Sequence, residues 1–251
     1  MLLSTKHGYE ENYFNNLAKH KGAIVKNNYY FIAKFVTANI DANITISKAM
    51  AELYYKLRLT KKEMEFIHHG VKQKEIDPSI KRVSLPQLIV VGRIEEIKGH
   101  TYLFDAMPTV VKKFPSAKLL ILGNGTKRQA LEEKALQLGI TKNIEFLGFQ
   151  KDPYSYVANS DVIILPSLYE PFGLVYIESF ALKTPVIAFD AQAGNEIIEN
   201  NETGFLVPLY DSLAIAEKII YLLSNETERE RITGNAYKKF QDHFSLHRND
   251  S

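Results

Sequence analysis

From residue 86 onward the chain alternates short apolar runs with longer amphipathic stretches. Leu88-Ile-Val-Val91, Leu119-Leu-Ile-Leu122 and Val162-Ile-Ile-Leu165 are unbroken apolar runs, the signature of strands covered on both faces. The pattern predicts strands at 88–91, 118–122, 143–147, 162–165, 185–189 and 204–207, and helices at 99–114, 126–138, 153–159, 173–182, 211–223 and 226–243. Alternation of this regularity points to an α/β fold with a doubly wound parallel sheet. Ligands of such sheets bind beyond the carboxyl ends of the strands, where Arg93, Gly123 and Glu170 all fall.

The N-terminal part is less regular. Its pattern predicts helices over 29–37 and 48–59 and short strands at 43–47 and 65–68. Two or three strands do not complete a parallel sheet that must be covered on both faces, so this part reads as an incomplete second α/β domain. Polar residues and two prolines mark 72–86 as a linker. The expected division is a partial domain over 1–71, the linker, and a complete domain over 87–245.

The richest candidate chemistry is Glu170-Pro-Phe-Gly-Leu-Val-Tyr-Ile-Glu178, two carboxylates around a predicted helix start. The first N–H groups of a helix have no partner within it, and with the helix dipole they suit a diphosphate. Glu170 would then meet sugar hydroxyls and Glu178 the two ribose hydroxyls of a nucleoside; the plainer alternative is one loop glutamate and one helix-face glutamate. Arg93 and Lys98-Gly99, on the loop after the first strand, place a forked cation and a mobile one where a pyrophosphate needs neutralising.

Gly92-Arg93, Lys98-Gly99, Gly123-Asn-Gly125, Phe146-Leu-Gly148, Glu170 to Glu178, Pro185-Val-Ile-Ala188 and Gly204-Phe-Leu-Val-Pro208, in this order, resemble the donor-binding domain of the retaining family 4 glycosyltransferases of the GT-B fold. The resemblance covers roughly residues 43–245. It implies two Rossmann-like domains, the N-terminal one incomplete here. It also implies transfer of a sugar from a nucleoside diphosphate sugar, UDP before GDP, to an acceptor hydroxyl with retention, in cell-surface polysaccharide or glycolipid synthesis, without cofactor or metal. Arg93, Lys98, Glu170 and His7 are its implied catalytic residues; His7-Gly8 matches the place where many relatives carry a histidine facing the donor sugar. Its implied donor-binding residues are Gly92, Gly123, Gly125, Phe149, Phe172, Gly173, Leu174, Val175 and Glu178, with the base near Gly148-Phe149. Asn195 and Glu196 either line the site or start a helix.

Two features depart from the family pattern. His69-Gly70 stands where relatives carry Asn-Gly before the linker, and Phe244 to Ser251 stops where a helix crossing back to the N-terminal domain would begin. The expectation is a truncated product, a partial reading frame or one half of a split enzyme, with a partner chain supplying the missing N-terminal region. The alternative function is a non-catalytic nucleotide-sugar binding subunit or an inactive fragment of such an enzyme.

Composition narrows the remaining classes. The chain is 45% hydrophobic, 24% charged and 11% aromatic, as globular enzymes are, and has no cysteine, which excludes disulfides and thiolate metal sites and fits a reducing cytoplasm. No apolar run reaches the ~20 residues of a membrane helix. Residues 1–85 carry 14 basic and 8 acidic side chains, the remainder 17 and 21. That asymmetry suits peripheral contact with an anionic lipid face or an anionic acceptor, or is only solubilising lysine. No nucleic-acid motif stands out. Gly123-Asn-Gly-Thr-Lys-Arg128 lacks the third glycine of a dinucleotide site, and P-loop, Gly-x-Ser-x-Gly and Asp-x-Asp motifs are absent. The saccharide or lipid-linked acceptor is left open.

Overall fold

A computed structural model describes residues 3–6, 28–82, 85–192 and 194–246. The chain forms two compact units, Met1–His69 and Gly70–Ser251.

The first unit holds β1 (Leu3–Lys6), α1 (Asn28–Ala38), β2 (Ala42–Thr45), α2 (Lys48–Lys56) and β3 (Met64–Phe66). Its strands form a parallel sheet in the order β1-β2-β3, with Leu3 opposite Ala42 and Asn43 opposite Met64. Ser47 caps α2 by accepting the Met50 amide at 3.1 Å. Met50, Ala51, Tyr54, Leu57, Leu59 and Met64 make a small core beneath that helix. The hydrophobic pattern missed β1, because Leu3-Ser-Thr-Lys6 has neither an apolar run nor a clean alternation.

The second unit contains β4 (Gln87–Val91), α3 (His100–Lys113), β5 (Lys118–Leu122), α4 (Arg128–Gln137), β6 (Ile144–Gly148), α5 (Pro153–Ala158), β7 (Val162–Leu165), α6 (Leu174–Ala181), β8 (Val186–Phe189), α7 (Gly194–Ile197), β9 (Phe205–Val207), α8 (Ser212–Ser224) and α9 (Glu226–His243). Its six parallel strands run β6-β5-β4-β7-β8-β9. Leu88, Val90, Leu119, Ile121, Val162 and Ile164 form one face of the core with Leu103 and Phe104 of α3 and Ile215 and Ile219 of α8. Successive strand residues point to opposite faces, so Ile89, Leu120 and Ile163 turn to the other layer, where they are equally buried. Burial of each such side chain contributes about 1.5–3 kcal/mol, and coverage of both faces explains the uninterrupted apolar runs.

The segment expected as a linker is docked onto this unit. The Asp77 amide donates to Ser155 Oγ at 2.7 Å, Asn159 Nδ2 donates to the Ile80 carbonyl at 2.7 Å, and Arg82 pairs with Asp161. At the far end Ser245 forms a parallel bridge with Val71. None of the described helices is long and apolar enough to cross a membrane.

Candidate functional site

The chain enters the large sheet at β4, near its middle, winds outward to β6, then returns to β7 on the other side of β4. Reversal of strand order opens a crevice at the carboxyl ends of β4 and β7, the usual ligand position in such sheets. Gly92 and Arg93 follow β4, Gly123 and Gly125 follow β5, Phe149 follows β6, and Glu170, Phe172 and Gly173 lie between β7 and α6.

The loop after β4 is tied to the loop after β5. The Ile94 amide donates to the Asn124 carbonyl at 2.9 Å, and the Lys127 amide returns to the Ile94 carbonyl at 3.0 Å. The Glu95 carboxylate accepts from the Thr126 hydroxyl at 2.7 Å and amide at 2.9 Å. These bonds, aided by the charges of Arg93 and Lys127, hold its carboxyl below the usual range. A Cβ on Gly123 would lie 2.0 Å from the Gly92 carbonyl oxygen and one on Gly125 2.3 Å from that of Ile94, so both glycines let the two loops touch.

Lys98 ends a 3-10 turn, Glu96–Lys98, on the loop just before α3. The Leu168 amide donates to the Ile97 carbonyl at 2.8 Å and fastens this turn to the loop after β7. Lys98 Nζ there lies 2.9 Å from Glu170 Oε2, with 22% and 19% of the two side chains exposed. The Glu170 amide donates to Gln192 Oε1 at 3.1 Å, drawing in the loop after β8. Three strand-end loops therefore converge on Glu170.

Two buried titratable groups underlie this convergence. Burial, then the Glu170 charge, pushes the Tyr176 phenol up, so it stays neutral. Burial, then the Lys98 charge, pushes His100 down to about 4. Its ring is 3% exposed and neither nitrogen has a hydrogen-bond partner.

Gly173 is the N-cap of α6 at φ 79°, a left-handed value that favours glycine, and no side chain caps the helix. The Leu174 and Val175 amides open the first turn, where helix geometry supplies no acceptor and the dipole is positive. Phe172 is buried just before it, Glu178 projects from the second turn, and the Phe149 ring is 76% exposed at the end of β6. Glu178 Oε1 accepts from the Tyr154 hydroxyl at 2.5 Å. Asn195 and Glu196 fall within the one-turn helix α7. His7 lies outside the described residues.

Tyr154 and Gln192 are additions that the sequence pattern did not single out. Asp152-Pro153 marks a helix start and so places Tyr154 near it, but nothing local points to a partner 24 residues away. Gln192 sits at φ 35°, unusual for a residue with a side chain, and its contact to Glu170 spans 22 residues.

The chain matches the glycosyl transferases group 1 family over residues 71–239 and belongs to that family. It is 32% identical over 218 residues to an uncharacterised glycosyltransferase of Methanocaldococcus jannaschii, covering 80% of this chain and 56% of the relative. It is 36% identical over 156 residues to a capsular polysaccharide biosynthesis glycosyltransferase of Staphylococcus aureus, covering 62% and 41%. The chain thus spans about half the length of the curated relatives it matches. Among solved structures, Anabaena HepE in complex with UDP and glucose superposes with a TM-score of 0.79 at 20% identity, over 91% of this chain and 65% of that one. S. aureus TarM in complex with fondaparinux, alpha-GlcNAc-glycerol and UDP gives 0.77 at 23%, over 90% and 45%. At these identities the likeness shows the fold, which is that of GT-B glycosyltransferases.

Proposed function

We propose that this chain carries the donor site of a retaining, metal-independent glycosyltransferase of family 4 that uses a UDP-sugar. The observation that carries the reading is the Lys98–Glu170 pair, set between the ends of β4 and β7 and beside the uncapped start of α6. Arg93, Lys98 and the amides of Gly173, Leu174 and Val175 take the diphosphate, electrostatic work of a kind usually worth several kcal/mol. Glu170 meets hydroxyls of the transferred sugar, Glu178 holds the ribose, and the base lies toward Gly148 and Phe149.

In the reaction the bond from the sugar C1 to the diphosphate breaks. The acceptor oxygen bonds C1 on the same face, and the acceptor proton passes to the leaving phosphate oxygen. UDP is favoured because similar structures hold it. A saccharide or lipid-linked acceptor is favoured by relatives named for capsular polysaccharide and phosphatidyl-myo-inositol mannosylation.

Incubation with α-linked UDP-hexoses and candidate acceptors, read by proton NMR of the product anomer, tests the reading. An α-linked product is expected. A β-linked product would overturn retention, and failure of the chain to bind any UDP-sugar would overturn the donor site.

A further inference from the structure

We propose that Tyr154 is a positioning residue for Glu178, fixing one carboxylate oxygen so that the remaining acceptor sites face a nucleoside ribose. The inference rests on the ribose role given to Glu178 above. Tyr154 is the second residue of α5, is 7% exposed, and donates its hydroxyl to Glu178 Oε1 at 2.5 Å. The pair sits in a recess walled by Val91, Pro153, Val175 and Leu182, beneath the crevice end of β4. An ionised carboxylate offers about four acceptor sites. Tyr154 takes one, and two vicinal hydroxyls need two more, so both contacts fit together.

The phenol is itself held from behind. The Lys74 ammonium lies 4.0 Å from the Tyr154 ring centroid, and the Asp77 amide binds Ser155 Oγ, so residues 74–77 brace the start of α5. Burial, then the hydrogen bond to Glu178 and its charge, push the Tyr154 phenol up, so it stays protonated and a donor at neutral pH. A long glutamate side chain is thereby ordered before ligand arrives, which removes part of the entropic cost of binding.

Titration calorimetry with UDP and 2′-deoxy-UDP, on the wild-type chain, Tyr154→Phe and Glu178→Gln, separates this inference from the reading beneath it. Tyr154→Phe keeps the ring under Lys74 and deletes only the donor; an unchanged melting midpoint confirms that it folds. The wild-type chain should prefer UDP over the deoxy ligand by roughly tenfold, the scale of one hydrogen bond to a charged group. Glu178→Gln should abolish most of that preference. Tyr154→Phe should reduce it severalfold, with deoxy-UDP binding little changed. Tyr154→Phe with the wild-type preference, or with both ligands weakened equally, overturns the positioning role while leaving Glu178 in place. A wild-type chain that binds both ligands alike, or neither, removes the ribose role of Glu178 and this inference with it.

Discussion

The Lys98 ammonium and the Glu170 carboxylate, 72 residues apart in sequence, meet at 2.9 Å with about a fifth of each side chain exposed. Neither residue reaches the other through its own element. The 3-10 turn that carries Lys98 is pinned to the loop of Glu170 by the Leu168 amide, and Gln192 fixes that loop from the side of β8. The cation proposed to take the diphosphate is thus held in place, and its charge answered, by the neighbouring acid.

That pairing gives a sign test. Glu170→Gln releases Lys98 from its acid, so binding of UDP itself should be unchanged or severalfold tighter, whereas Lys98→Ala should weaken it by about 2 kcal/mol or more. Calorimetry with UDP on both variants reads the difference. Equal weakening by the two substitutions would show that the pair acts only as scaffold.

Turnover should separate the two glutamates. In the proposed site Glu178 holds a part of the donor that does not react, so Glu178→Ala should mainly raise KM, while Glu170→Gln should mainly lower kcat. Steady-state kinetics of UDP release, on the chain supplied with a complete acceptor domain, measures both, and the reverse pattern would exchange their assignments.

Stability at the entrance to β4 depends on Asp161. It is 8% exposed, accepts from the Gln87 amide at 2.8 Å and pairs with the more exposed Arg82. Asp161→Ala strands a buried amide donor and should lower unfolding stability by about 1–3 kcal/mol in urea. Arg82→Ala should cost no more than about 1 kcal/mol.

His100 makes stability pH-dependent. Its folded pKa is pushed down to about 4 from 6.5, so the unfolded chain takes up the proton first. The contribution is intact above 6.5 and is lost as pH falls from there toward 4, reaching about 2 kcal/mol at pH 5. Urea unfolding at pH 7 and 5 should therefore show a smaller loss for His100→Leu than for the wild-type chain. Equal losses would mean that the ring is protonated within the fold.

The large sheet was legible in sequence because strands covered on both faces carry unbroken apolar runs, and β4, β5 and β7 do, over 88–91, 119–122 and 162–165. The Glu170 to Glu178 spacing was legible for a similar local reason: a glycine cap divides loop from helix between them. Leu3–Lys6 was not, since its pairing with Ala42–Thr45 leaves no periodic trace in four residues. The contacts of Lys98 with Glu170, Gln192 with Glu170 and Tyr154 with Glu178 were not legible either. They depend on which strand ends the topology brings together, and strand order is not written in any one segment.

The central claim, a nucleoside diphosphate site built from Arg93, Lys98 and the start of α6 without metal, is tested most directly by calorimetric titration of the chain with UDP in EDTA. The account predicts saturable binding that added Mg²⁺ leaves unchanged and that Arg93→Ala and Lys98→Ala each weaken. Absence of binding in EDTA, or binding that appears only with a divalent cation, would contradict it.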